Sequence, residues 1–301
     1  MSALLDAARQ QHYAIGYYES WDIYSLEAAI EAAEECQSPA IIGFGGAVTN
    51  QAWLDGHGVE ELTALACTLA VRSRVPTAVL FNEARTFSQL LRGLRAGCNT
   101  VMLDTSHLPF TENLAWTRKV VETAHAVGAS VEAELGHLAD GSDPSVQAVG
   151  TDPQEAAQFV RESGVDALAV SIGNVHILQH GEASVNIELL ERISAAVPVP
   201  LVIHGGTGFP PAAVRSAIKH GVAKFNVGTR LKRVYLDGIR AAVENMPADV
   251  SIHALVGSRD GQDICMQGKL RLKEEIKSFI QLYGSTGHAE PLGLMSTTMR
   301  Q

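Results

Sequence analysis

The chain has 301 residues, 46% of them hydrophobic but only 6% aromatic, enough for one large α/β core; a (β/α)8 barrel takes about 250 residues. Its net charge of −10 argues against nucleic-acid binding, which shows as a basic face, but leaves room for an anionic small substrate in a locally positive pocket. The four cysteines, Cys36, Cys67, Cys98 and Cys265, are scattered without a CxxC pair, which excludes a disulfide framework and leaves them as small buried hydrophobes. The N-terminal MSALLDAARQQHY has no basic stretch followed by an apolar one, and no apolar run approaches the roughly 20 residues of a membrane span. A cytoplasmic protein without membrane or nucleic-acid partners is the expectation.

Short apolar runs alternate with amphipathic stretches along the chain. Expected strands are Tyr13–Tyr17, Ala40–Phe44, Thr77–Phe81, Thr100–Asp104, Ser130–Leu135, Ala167–Ile172, Leu201–His204 and Ala223–Val227. Helical periodicity falls between and after them, at Leu26–Glu35, Glu60–Val71, Phe87–Ala96, Asn113–Ala126, Pro153–Glu162, Ile187–Ala196, Pro211–Lys219 and Arg230–Glu244. Strands alternating with helices form a parallel sheet. Eight repeats favour its closure into a (β/α)8 barrel, and no GxGxxG follows the first strand to support a dinucleotide fold. Gly, Pro and Asp cluster at Asp140–Pro144, in a patternless stretch long enough to be a functional lid. An additional C-terminal helix is expected over Lys269–Tyr283. The reading is one domain over residues 1–289 and a loose tail over 290–301.

Active sites of such barrels are built at the C-terminal ends of the strands, so the residues there carry the chemistry. These are Asn82 and Glu83 after strand 3, Asp104 at the end of strand 4, and Glu132 and Glu134 on one face of strand 5. Strand 6 runs into Gly173-Asn174-Val175-His176, strand 7 into His204-Gly205-Gly206-Thr207-Gly208, and strand 8 into Asn226-Val227-Gly228-Thr229. A lone histidine reads as a hydrogen-bonded structural residue, but His176 and His204 at two strand ends point to metal. A catalytic zinc takes three protein ligands and keeps one position open, and Glu83 is the candidate third. Glycines after strands 7 and 8 suit phosphate, because the backbone can approach an anion closely; tight turn geometry is the alternative. Glu132, Glu134 and Asp104 read either as a cation-supporting cluster or as a rim of solvated acids.

These segments carry a family resemblance. VMLDTSHLPF (101–110), VEAELG (131–136), HGGTG (204–208), KFNVGT (224–229) and the ending EEIKSFIQLYGSTGHA (274–289) resemble class II, metal-dependent fructose- and tagatose-bisphosphate aldolases, over essentially residues 1–289. The resemblance implies zinc or another divalent metal, with a monovalent cation as a second candidate, and a phosphorylated ketose-like substrate in a homodimer or homotetramer. By motif, His176 and His204 match zinc ligands, Asp104 and Glu134 match acids near the metal, Asp104 being counted as a fourth candidate ligand, and Asn226 matches a substrate contact. Gly173, Gly205, Gly206, Thr207, Gly228 and Thr229 match the phosphate site. Arg259 falls near a phosphate-binding arginine that in relatives sometimes reaches a neighbouring subunit.

Four positions depart from that pattern. Asn82 replaces the proton-transfer aspartate, and an amide is no general base near neutral pH. Glu83 replaces a zinc-binding histidine; a carboxylate also ligates zinc but lowers its Lewis acidity. Ile177 stands where glycine is usual, leaving less room for a backbone-bound anion or monovalent ion. Arg230 stands where an acid is usual, and either strengthens anion binding or points outward. A metal-dependent (retro-)aldol lyase with a relocated proton carrier, drawn from metal-bound water, Glu132, Glu134 or an acid of the 140–143 loop, is the leading expectation. The alternatives are a metal-independent lyase or isomerase with Glu83 as base, and a catalytically degenerate sugar-phosphate-binding protein.

Overall fold

Eight parallel strands close into one barrel in the computed structural model, which describes residues 1–141, 145, 148–178, 180–247 and 249–289. The strands are β1 (Ile15–Glu19), β2 (Ala40–Gly45), β3 (Thr77–Ala84), β4 (Thr100–Leu103), β5 (Ser130–Leu135), β6 (Ala167–Val170), β7 (Leu201–Ile203) and β8 (Val222–Val227). Each pairs in parallel with its neighbours, and β1 closes the ring on β8 through Ile15 opposite Lys224 and Tyr17 opposite Asn226. All eight expected strands and the helices between them are present. Parallel strands covered on both faces are mostly apolar, as Ala40–Gly45 is; Ser130–Leu135 is buried throughout as well, although it carries Glu132 and Glu134.

Two hydrophobic layers result. Val79, Phe81, Val131, Leu168, Ile203 and Phe225 face outward to the helices, where Leu26 of the helix Ile23–Glu35 joins the same cluster. Ile15, Tyr17, Ile41, Leu80, Ala169, Val202 and Ala223 fill the interior. The helix Ser2–Gln10, which the sequence analysis did not assign, sends Leu5 and Ala8 into that interior layer. The terminal helix begins at Ile264, earlier than the expected Lys269, on an Asp263 cap, and runs to Tyr283. It docks on the helices Ile23–Glu35 and Thr229–Glu244. Lys269 bridges Glu27 and Glu31, Lys273 and Lys277 reach Glu35, and Tyr283 stacks on Phe225 at 4.6 Å. No helix of the described residues is long and apolar enough to cross a membrane. The tail from residue 290 and the loop positions 142–144 lie outside the described residues.

Two local irregularities position the site. The first is in β3, expected to stop at Phe81 but continuing to Ala84. One extra residue is inserted between the pairs Phe81–Val101 and Ala84–Leu103, and Glu83 takes φ 52°. Neighbouring residues of a regular strand point to opposite faces, whereas this bulge lets both Asn82 and Glu83 line the mouth of the barrel. A left-handed backbone at a non-glycine residue costs about 1–3 kcal/mol, and such strain gathers at functional sites. The second is a two-residue ribbon that pairs Ala139 with Val175 and Asp140 with His176. It fixes the backbone of His176, and Ile177 after it is held at φ 52°, a conformation that suits glycine and strains a β-branched side chain.

Candidate active site

The C-terminal ends of β1, β3, β7 and β8, with the loop after β6, enclose a cavity of about 380 Å³. Glu83, His176 and His204 offer one ligand atom each, all within 4.8 Å of one another. Glu83 Oε1 stands 3.1 Å from His204 Nδ1 and 3.4 Å from His176 Nε2. Two ligands about 2.1 Å from a tetrahedral zinc lie roughly 3.4 Å apart, so the donors and their spacing fit a divalent cation.

His204 is buried, with its side chain 1% exposed. Its carbonyl accepts the Asn174 side-chain amide at 2.9 Å, while Asn174 Oδ1 accepts from Ile172 N–H, tying the β6 and β7 loops together. Nε2 donates to Glu132 Oε1 at 2.9 Å, leaving Nδ1 on the Glu83 side. Glu132 is itself gripped by Lys224, whose Nζ lies 2.7 and 3.0 Å from its two oxygens and also donates to Asn226 Oδ1 at 2.5 Å. A carboxylate on the far nitrogen of a metal-binding histidine fixes the ring and its tautomer. Glu132 is thus buried and paired with His204 and Lys224, not part of a solvated rim.

Lys224 has no role in the sequence reading, although the segment containing it does. A signal existed: a lysine inside an apolar strand is stable only when paired. Its partner is on β5, and nothing local announces it.

Charge inside the cluster is finely divided. Burial disfavours the His204 cation, yet Glu132, Glu83 and Glu134 together push the imidazole up to about 10. Burial also works against an ionised Glu83, but His176, His204 and Arg85 hold it down to about 2. So weak a base is poorly suited to proton abstraction, which disfavours the metal-independent alternative. Burial pushes Glu134 up to about 7, reinforced by Glu83 and Asp104 against the opposing His204. In the metal-free protein the site therefore keeps a proton on His204, and a cation must displace it. Divalent-metal uptake at pH 8 is expected to release about one proton, and affinity to rise about tenfold per pH unit above neutrality up to about pH 10. Calorimetry in buffers of different ionisation enthalpy measures the proton count; no release would contradict it.

The other expected site residues divide. Asn226, Gly205, Thr207, Gly228 and Thr229 line the cavity, as do Asn82 and Glu83. Asp104, counted among the ligands from sequence, stands outside the trio and is held by Arg85 at 2.9 Å in an adjoining pocket. Gly173 and Gly206 are not among the residues that line the cavity. A Cβ on Gly173, at φ 100°, would collide with the Ser184 carbonyl, and one on Gly206 would come 2.7 Å from the Asn226 carbonyl. Arg259 pairs with Glu27 and lies over the Tyr24 ring at 5.0 Å, away from the cavity lining of this chain. Arg230 points outward to Glu275 at 2.7 Å. The cavity also holds Tyr17, Glu19 and Lys232, which the sequence reading did not select.

The model of the family described as fructose-bisphosphate aldolase class II matches residues 1–288. The chain belongs to the class II fructose-bisphosphate aldolase family. It is 34% identical to Bacillus subtilis (strain 168) "Probable fructose-bisphosphate aldolase", covering 90% of this chain and 95% of that protein. It is 32% identical to the fructose-bisphosphate aldolase of Thermus caldophilus, over 95% of this chain and 98% of that one. The crystal structure of the YdjI aldolase from Escherichia coli K12 superposes with a TM-score of 0.80 at 31% identity, covering 96% and 98% of the two chains. This chain is therefore a class II aldolase-type carbon–carbon lyase, and metal dependence fits the family.

Proposed function

We propose that this class II aldolase performs divalent-metal-dependent cleavage, or the reverse condensation, of a ketose-like sugar phosphate, with Glu134 in place of the missing aspartate as proton carrier. One observation supports the reading above the others: the Glu83–His176–His204 trio shares its cavity with three buried polar atoms, Tyr17 Oη, Asn82 Oδ1 and Asn226 Nδ2, that have no partner among the described residues. Buried polar groups are normally satisfied, so a donor and acceptor set of this kind suits a polyhydroxylated substrate. A divalent cation held by Glu83, His176 and His204, zinc being the family's example, would supply Lewis-acid polarisation of the substrate carbonyl.

The remaining work falls to the chain's own groups. Lys224 and Glu132 orient His204. Tyr17, Asn82 and Asn226 fix the hydroxyls. In the cleavage direction, the hydroxyl on the departing carbon loses its proton as the carbon–carbon bond breaks and its electron pair passes to the carbonyl arm. Asn82 cannot accept that proton. Glu134 is buried beside the trio, its Oε2 3.4 Å from His204 Nδ1, and lines the adjoining pocket together with Glu83 and His176; burial raises its carboxyl above the ordinary range, which suits a group that takes up and returns a proton. The resemblance carries the rest of the reading, a homodimer or homotetramer working in the cytoplasm.

Elemental analysis of the purified protein, with a screen of ketose phosphates for metal-dependent cleavage, tests the reading; no bound metal after reconstitution, or no cleavage, counts against it. Glu134→Gln is expected to lower kcat about 10²–10⁴-fold while metal content and KM stay near wild type. Loss of metal in that variant would instead make Glu134 a ligand.

A further inference from the structure

Two spaces meet at the Glu83–His176–His204 trio. Val48, Glu83, His176 and Ile177 border both the cavity of about 380 Å³ and the adjoining pocket of about 210 Å³. The two sides differ in chemistry. Gly205, Thr207, Gly228 and Thr229, with the cations Lys232 and Arg233, line the first side only, which is where a phosphate on the carbonyl-side arm belongs. Glu134 lines the second side only. In the proposed reaction Glu134 takes the proton of the hydroxyl on the departing carbon, so the departing arm runs into the second pocket. No glycine lines that pocket, and Arg85 is the one arginine or lysine among its lining residues. The Arg85 guanidinium is held by Asp104 at 2.9 Å, which cancels its charge. Setting Glu83 aside for the metal and Glu134 for the proton it carries, Asp140 still leaves the wall acidic when histidines are counted as neutral.

We infer that the Arg85–Asp104 pair determines specificity for the departing aldehyde, selecting a hydroxylated, unphosphorylated arm and rejecting one that ends in phosphate. The inference rests on the aldolase reading and narrows it to ketoses phosphorylated on the carbonyl-side arm alone. A hydroxyl donates one hydrogen bond and accepts two, so it needs acceptors and donors side by side. The pocket supplies both. Asp104 accepts from Arg85 and from Ser106 Oγ at 3.3 Å, with His107 Nδ1 4.0 Å away. The Arg85 side chain is 44% exposed and keeps further N–H donors, since a guanidinium has five. A phosphate dianion accepts hydrogen bonds only and would face Asp104 and Asp140. Like-charge juxtaposition is an effective way to reject a competitor. An acid reading a sugar hydroxyl where a free arginine would take its phosphate is the same exchange that separates the two dinucleotide cofactors in nucleotide-binding folds.

The test pairs each ketohexose 1-phosphate with the 1,6-bisphosphate of the same stereochemistry, turned over by wild type, Asp104→Asn and Arg85→Gln. The bisphosphate-to-monophosphate ratio of kcat/KM is read within each protein, so a loss of metal or fold common to both substrates cancels. Wild type is expected to give a ratio at least about 10-fold below one. Asp104→Asn, which removes an acid and releases the arginine, should raise it about 30-fold, and Arg85→Gln should lower it about 10-fold further. Calorimetric binding of hexitol 1-phosphate and hexitol 1,6-bisphosphate to the zinc-loaded proteins supplies the same ratio without turnover. Wild-type preference for the bisphosphate, or ratios unchanged in both variants, would overturn the inference. Absence of turnover across the whole panel would sink the aldolase reading instead, with the hexitol measurement still deciding the role of the Arg85–Asp104 pair.

Discussion

His204→Ala and His176→Ala are each expected to strip the divalent metal from the protein and with it more than about 100-fold of kcat/KM, yet only the first should destabilise the fold. Loss of an outer hydrogen-bond partner of a metal ligand already costs about 10–100-fold in affinity or activity, and removal of one of only three ligands costs more. The two histidines differ in what else they hold. The His176 side chain is 30% exposed, with Glu83 as its ion-pair partner. His204 lies 1% exposed among three carboxylates, with Glu132 at 2.9 Å, Glu83 at 3.1 Å and Glu134 at 3.4 Å. Its removal leaves buried acids facing one another, and stripping one partner from a buried charge cluster costs about 3–5 kcal/mol. Metal content by elemental analysis and thermal unfolding of both variants separate the two roles. Retention of metal in either variant would refute the proposed trio.

The barrel was legible because its strands are apolar runs buried on both faces, and the site because its polar residues interrupt those runs at one end. His176, His204, Glu132, Glu134 and Asn226 could be found that way. What stayed hidden is either backbone-specific or non-local. The bulge in β3 leaves no local sequence signal, since Asn82 and Glu83 look like the residues after a strand and not part of one. Glu19 fell outside the expected first strand, Tyr13–Tyr17, because a charged residue ends an apolar run, whereas the strand continues to it. Asp104 illustrates the opposite error. A carboxylate at a strand end looks like a ligand until a neighbouring cation, here Arg85, is seen to hold it elsewhere.

Lys224→Met is expected to destabilise the protein by about 3–5 kcal/mol, the cost of leaving a buried charge without its partner. Lys224 and Glu132 are both fully buried. The ammonium also satisfies Asn226 Oδ1 and stands 5.0 Å over the Tyr17 ring, so methionine leaves Glu132 with His204 alone and Asn226 Oδ1 without its donor. The double variant Glu132→Gln/Lys224→Met removes the stranded charge and should recover more than half of the loss, since replacing both members of a buried pair is far less costly than breaking it. Activity should not recover with stability, because His204 Nε2 then faces an amide in place of the carboxylate that fixes its tautomer. The sign of the pH dependence adds a further check. Lys224, first among the groups that oppose burial, helps hold the Glu132 carboxyl below its ordinary range. Without the lysine that support is gone, Glu132 takes up a proton more readily, and a neutral carboxyl costs less to bury. The stability deficit of Lys224→Met should therefore shrink as pH falls from 8 to 5. A deficit that is constant with pH, or a double variant no more stable than the single one, would show that Lys224 acts through packing rather than through its charge.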